Sequence, residues 1–284
     1  MGKVVQGLQL FSVKNALKAD EIGVIRALSD MGYANVEVND PGFVDGKIAP
    51  VRPAEQTRAI YGDLGVRVIT AAMNLDRHTN LDDWKQLVEY SCRIGSRAVV
   101  CGVGTFKDRE QLFARADLFN RIGEFARQNG QEFYYHNHYQ EFMRIQGEVV
   151  FDTLMRRTQP DLVGVELDVF WLVRGGVEPI GFMDGLGERL KVVHFKDLNP
   201  DVAPCILDRI PAGQAIGWEE FLQYANQPEA FVELGRGCID LQSIAQKVEQ
   251  MPGIWAAVVE QDASAIGELE SARANAQYLK ALFQ

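Results

Sequence analysis

The stretch Phe133-Tyr-Tyr-His136-Asn-His138-Tyr-Gln-Glu141 begins as an apolar strand and ends in side chains that bind metals or move protons, and it holds two of the chain's four histidines. Three later segments repeat the pattern: Glu166-Leu-Asp168, Val193-His194-Phe-Lys196-Asp197 and Val259-Glu260-Gln-Asp262. Apolar runs that each stop in a carboxylate or imidazole suit a centre whose members are supplied by separate strand ends. Glu141, Asp168, His194 and Glu260 come from consecutive units and form a set of three carboxylates and one imidazole. Such a hard, oxygen-rich set suits Mn2+ or Mg2+, with Co2+, Fe2+ or Zn2+ as alternatives. Taken singly, a strand-end carboxylate is more often a helix cap or a rim salt bridge; four on consecutive strands make a shared site the better reading.

The histidines of the first stretch leave alternatives open. Residues two apart on a strand point the same way, so His136 and His138 share the inward side. Either is a candidate for a metal ligand, a proton shuttle or a hydrogen-bond partner for a sugar hydroxyl. Lys196 points with His194 and would hold a carbonyl or enediolate oxygen; the plainer alternative is an ion pair with Asp168 or Asp197. Arg236, between two glycines, is placed to clamp a hydroxyl, carboxylate or phosphate, or is an ordinary surface arginine. Gln9, Glu37 and Asn39 fall at the same rim as candidate substrate contacts. Trp171 and Phe170, just after Asp168, offer an apolar wall on which a sugar face stacks, though core packing is the commoner role.

These residues need strands to carry them. The hydrophobic pattern predicts strands over Val4 to Phe11, Ala34 to Asp40, Val66 to Met73, Ala98 to Val103, the stretch beginning at Phe133, Leu162 to Leu167, Leu190 to Phe195 and Ile254 to Val259. Helical periodicity covers about Ala19 to Met31, Ala54 to Leu64, Leu81 to Ile94, Asp108 to Asn129, Phe151 to Arg157, Ile180 to Leu186 and Ala265 to Phe283. Eight strands alternating with helices in 284 residues is the pattern of an α/β protein of the (β/α)8 TIM barrel class, in one domain. An open doubly wound sheet is the runner-up, but no GxGxxG follows the first strand. The last interval is about twice the others. It holds an insertion, Leu198 to Asp240, with a short helix at Trp218 to Ala225 and the run Glu233-Leu-Gly-Arg236-Gly. It lies on the face where barrel active sites sit, so the expectation is a flap over the substrate.

The formal charge of -10 and pI near 5.0 disfavour a nucleic-acid partner. The four cysteines show no CxxC spacing, so they are expected as free thiols in a reducing cytoplasm. The first residues carry no signal-peptide or myristoylation pattern, and no apolar run reaches membrane-spanning length.

In order and spacing, several motifs together resemble the sugar-phosphate isomerase/epimerase family, the xylose-isomerase-like TIM barrels. They are Gly7-Leu-Gln-Leu-Phe-Ser-Val, Met31-Gly-Tyr-Ala-Asn-Val-Glu37, Tyr135-His-Asn-His-Tyr-Gln-Glu-Phe, Glu166-Leu-Asp-Val-Phe-Trp, Val193-His-Phe-Lys-Asp, Glu233-Leu-Gly-Arg-Gly-Cys-Ile-Asp and Val259-Glu-Gln-Asp. The chain looks nearest to the branch with HNHxxEF, whose members act on keto-sugars, inososes and 3-keto-glycosides. The resemblance implies a divalent metal, usually Mn2+, held by residues matching Glu141, Asp168, His194 and Glu260. In the epimerases the first Glu ends strand five itself, where this chain has His136. The shared chemistry implied is removal of a proton next to a carbonyl, with the metal stabilising the enediolate. Glu260 would serve as ligand and base or acid, His136 or His138 as its partner, and Lys196 as an oxyanion holder. Two other readings compete. One is an AP-endonuclease-like phosphodiesterase, which needs more histidines and a basic face. The other is a non-catalytic or partner subunit of a sugar lyase assembly. A homo-oligomer or second subunit is compatible with all of them.

Overall fold

A computed structural model describes residues 4–211 and 213–284. Eight parallel strands close into a barrel: β1 Val5–Gln9, β2 Asn35–Asn39, β3 Arg67–Asn74, β4 Ala98–Val103, β5 Glu132–His136, β6 Gly164–Asp168, β7 Leu190–Phe195 and β8 Ala256–Val259. Each strand pairs with its neighbours in sequence, and β8 pairs with β1. The expected barrel is therefore present, and the open sheet is excluded.

Around it run α1 Lys14–Met31, α2 Ala54–Asp63, α3 Leu81–Ile94, α4 Arg109–Gln128, α5 Val150–Arg157, α6 Val169–Arg174, α7 Pro179–Leu186, α8 Trp218–Ala225, α9 Leu241–Gln250 and α10 Glu268–Leu282. Helix α1 starts five residues earlier than its periodicity indicates. Asp20 breaks it with a non-helical backbone, and only the part beyond carries the apolar stripe of Val24, Ile25 and Leu28. Strand β6 is shifted to end on Asp168 rather than Leu167, which makes Asp168 at once the last strand residue and the cap of α6, its Oδ1 accepting from the Trp171 N–H at 3.0 Å. Helix α9 was not anticipated. It is the helix of the seventh unit, displaced by the insertion that precedes it.

Strand parity decides what fills the barrel. On the inner face, Tyr134, Val192, Ala256 and Val258 form an apolar plug with Ile69, Ala98 and Val100. One or two residues further along, the same faces turn polar: Glu37, His136, Glu166, Asp168, His194 and Lys196 are all buried. The opposite faces pack against the helices in one continuous core. Register then sets neighbours across strands. Glu166 sits opposite His136, and Asp168 opposite His194.

The insertion is tied down at one residue. Asp197, paired as a short antiparallel strand with Phe231–Val232, accepts four backbone N–H groups through its carboxylate: Leu198 at 2.9 Å, Gly235 at 2.9 Å, Gly237 at 2.9 Å and Ile239 at 3.1 Å. This backbone approach requires glycine at position 237, where a Cβ would lie 2.1 Å from Asp197 Oδ1. The insertion's Phe221, Phe231, Ile206 and Ile216 pack with Tyr139, Phe170 and Trp171 in a second apolar cluster over the rim.

After β5 the chain turns through a 3-10 segment, Gln140–Phe142. This turn swings Glu141 away from the barrel axis. Its carboxylate accepts from Tyr135 Oη, from Gln140 Nε2 at 3.0 Å and from the His138 N–H at 2.9 Å. Burial pushes its carboxyl up to about 7, against the opposing pull of those donors.

Two outcomes test these packing arguments. Gly237→Ala is expected to lower unfolding free energy by ~1–3 kcal/mol through the clash with Asp197; an unchanged melting temperature would contradict the tight approach. For Glu141 the fold favours the protonated carboxyl, so its contribution is complete below pH 4.5 and disappears as pH rises to about 7. Glu141→Gln stays neutral throughout, so across that window it should gain on the wild type by about 3 kcal/mol in urea unfolding. A pH-independent difference would refute the shift.

Candidate metal and proton-transfer site

The C-terminal ends of β5 to β8 bring His136, Asp168, His194 and Glu260 together, with one ligand-capable atom of each lying within 4.8 Å of the others. All four are buried. The His194 imidazole is wedged between acids on both edges. Its Nε2 lies 2.7 Å from Glu37 Oε2 and 3.2 Å from Glu166 Oε1, and its Nδ1 lies 3.1 Å from Glu260 Oε2. His136 has Nδ1 3.1 Å from Glu166 Oε1 and Nε2 3.8 Å from Asp168 Oδ2.

Lys196 fills the other side. Its ammonium lies 2.9 Å from Glu260 Oε2, 3.1 Å from Asp168 Oδ2 and 3.1 Å from Asp262 Oδ1. Of the two ion pairs considered for Lys196, the Asp168 one is formed, while Asp197 is engaged with the insertion. Trp171 presents its ring 5.4 Å from the same ammonium.

Charge compensation accounts for the protonation states. Burial disfavours every charged form here, yet the pairs overcome it. His194 is raised well above the usual imidazole range because Glu166 and Glu37 outweigh its desolvation. Burial opposes ionisation of Glu166, but His194 and His136 hold it at about 2. Glu260 is likewise held well below the carboxylate range, burial being outweighed by Lys196 and His194. Lys196 is raised by Asp168, Asp262 and Glu260 in spite of its burial. Burial and the neighbouring Glu166 push Glu37 up to about 7, and burial pushes Asp262 to about 6. His138 is the opposite case: burial, and then His136 and Lys196, hold it well below the usual range, so it is a neutral imidazole.

Five carboxylates, Glu37, Glu166, Asp168, Glu260 and Asp262, thus face one lysine and the histidines. Several polar atoms around them are buried without a hydrogen-bond partner among the described residues: Glu37 Oε1, Glu166 Oε2, His138 Nδ1 and Trp171 Nε1. Such atoms are rare in folded proteins unless something else satisfies them. A mixed oxygen and imidazole set, with net negative charge and free lone pairs, fits a divalent cation.

The expected residues divide into three groups. Asp168, His194 and Glu260 are together, with Lys196 beside them. His136 and His138 adjoin them, their rings 5.1 Å apart, and the Trp171 ring lies 5.1 Å from His138. Glu37 reaches His194, and Gln9 Nε2 reaches Glu37 Oε2 at 3.4 Å. Glu141 is not in the cluster: the turn after β5 directs it to Tyr135, and His136 stands in the position expected of it. Arg236 is exposed on the insertion, its N–H bonded to Glu233, and Asn39 is also exposed. Glu166, quoted with Asp168 in the sequence but given no role there, shares the inward parity of Asp168.

Comparison with known proteins agrees with this architecture. The curated relatives include inosose dehydratase of Clostridium beijerinckii, 27% identical over 183 residues, a match covering 64% of this chain and 58% of that protein. The chain therefore spans little more than half the length of such relatives. Among solved structures, a sugar phosphate isomerase/epimerase from Parabacteroides distasonis superposes with a TM-score of 0.77 at 21% identity, covering 99% of this chain and 95% of that one. A xylose isomerase-like TIM barrel protein from Mycobacterium smegmatis, in complex with magnesium, superposes at 0.67 and 15% identity, covering 100% and 98%. These likenesses are to the fold. The profile of the xylose isomerase-like TIM barrel family matches residues 25–282, and the chain belongs to that family.

Proposed function

We propose that the protein is a divalent-metal-dependent isomerase, epimerase or lyase acting on a keto-sugar or keto-polyol, by proton removal from the carbon next to its carbonyl. The observation that carries this is the convergence of His136, Asp168, His194 and Glu260 beside buried polar atoms that lack partners. These four residues would hold the ion, Mn2+ by preference, with Mg2+, Co2+, Fe2+ or Zn2+ as alternatives. When bound, the ion supplies Lewis acidity at a substrate oxygen.

The chain's own groups supply the rest. His138 is neutral with an unpartnered Nδ1, so it is the group ready to accept a proton from carbon. The electron pair left by that proton moves onto the carbonyl oxygen, toward which the Lys196 ammonium contributes positive charge. Glu260, ionised between Lys196 and His194, is the second proton carrier. Return of a proton to the opposite face completes an epimerisation. Protonation and departure of a hydroxyl on the next carbon completes a dehydration, the reaction named for the inosose dehydratase relatives. The Trp171 N–H and Glu37 Oε1, buried without a partner among the described residues, would bind hydroxyls. The apolar cluster contributed by the insertion packs beside His138, whose ring lies 5.1 Å from Phe221 and which stays partly exposed.

A panel of keto-sugars and inososes incubated in D2O with the Mn2+-loaded protein should show deuterium at the carbon next to the carbonyl. Exchange should stop on chelation and return with Mn2+. His138→Asn is expected to slow it ~10²–10⁴-fold while leaving metal content intact, and Glu260→Gln to reduce both exchange and metal content. A Glu260→Gln protein with normal turnover and a full complement of metal would remove Glu260 from both roles. Absence of exchange across the panel in metal-loaded protein would count against the reaction class.

A further inference from the structure

We infer that Glu166 is a positioning residue that orients both site histidines, so that His136 offers Nε2 and His194 offers Nδ1 to the cation. This deepens the metal-dependent reading and rests on it. A neutral imidazole has one N–H donor and one lone pair, and the partner of the first decides where the second points. One oxygen, Glu166 Oε1, lies 3.1 Å from His136 Nδ1 and 3.2 Å from His194 Nε2. A carboxylate oxygen can only accept, so both nitrogens must bring a hydrogen to it. Glu37 Oε2, at 2.7 Å, accepts from the same His194 edge. His194 Nδ1 also faces a carboxylate, Glu260 Oε2 at 3.1 Å, so without the ion this ring carries a hydrogen on each nitrogen. Glu260 belongs to the four-residue ligand set and Glu166 does not, so the proton a cation would displace is the one on Nδ1, and the protons retained are those on His136 Nδ1 and His194 Nε2.

The remaining nitrogens face one another's side of the site. His136 Nε2 is directed at Asp168, 3.8 Å from its Oδ2, and His194 Nδ1 at Glu260, 3.1 Å from its Oε2. The two rings are 4.7 Å apart at an interplanar angle of 65°. Strand geometry places Glu166 for this role. It is two residues before Asp168 on the inner face of β6, opposite His136 in the register, one layer below the residues that would hold the ion. The same carboxylates, Glu37 and Glu166, would otherwise form a second cation subsite with His194 Nε2. That alternative needs the His194 proton on the other nitrogen and leaves His136 Nδ1 without its acceptor.

The test is on protein with 15N-labelled histidine, titrated with Zn2+ and followed by imidazole 15N–1H correlation spectra. In the loaded wild type the retained protons should be on His136 Nδ1 and His194 Nε2, with one ion bound per chain. Glu166→Gln and Glu166→Asp should fold and weaken Mn2+ binding by ~10–100-fold. Glu166→Gln should also lose the single-tautomer pattern, and Glu166→Asp should restore it in part. Retained protons on His136 Nε2 or His194 Nδ1 in the wild type, or a second ion lost on changing Glu166, would overturn the assignment, and the first of these results needs no variant. Unchanged Mn2+ affinity in Glu166→Gln would overturn it while leaving the metal-dependent reading intact. A wild type that takes up no divalent ion would overturn both.

Discussion

The structure depends on the compensation of buried negative charge at one end of the barrel. Ionised carboxylates are costly away from water unless cations and hydrogen bonds meet them. Here Glu37, Glu166, Asp168, Glu260 and Asp262 converge within reach of Lys196 and two imidazoles. His194 is the hinge of the arrangement, with an acid on each edge of its ring. Removing that ring would leave Glu37, Glu166 and Glu260 facing each other with much less opposing charge. A stability argument alone would have filled this volume with leucine and valine, as the plug of Val192, Ala256 and Val258 below it does. Retaining so many acids in a core is the signature of a site.

The barrel makes such a site geometrically simple. Every strand points its C-terminal end the same way, and alternate residues point inward. Extending each strand by one polar residue at the correct parity is then enough to bring together groups more than a hundred positions apart, such as Glu37 and His194. The insertion after β7 adds what strands cannot, an apolar cover of Phe221 and Phe231 over Trp171 and His138, fastened to the barrel through the four N–H bonds to Asp197.

Much of this was legible in the sequence. The alternation of strands and helices announced the barrel, and Asp168, His194, Glu260 and Lys196, which the structure brings together, stand out because they lie at the ends of apolar runs. Glu141 lies apart from that cluster for a physical reason. It lies beyond the end of β5, in a 3-10 turn where strand parity no longer says where a side chain points, and Tyr135 offers it a partner on the outer layer. His136, still on the strand, keeps its inward direction. Glu166 takes no role in the sequence reading because it sits inside an apolar run and not at its end, although counting back two from Asp168 selects it. Helix α9 was masked by the irregular insertion before it, and the early start of α1 by a first turn without an apolar stripe. The exposed position of Arg236 reflects the turn that Asp197 imposes, a tertiary constraint that local sequence does not carry.

We propose one divalent cation held by His136, Asp168, His194 and Glu260, with Glu141 outside its reach. Anomalous diffraction at the manganese edge from crystals soaked in Mn2+ addresses it directly. A single anomalous peak among those four side chains is the predicted result. A peak beside Glu141, a peak confined to Glu37 and Glu166, or no peak at all would contradict it.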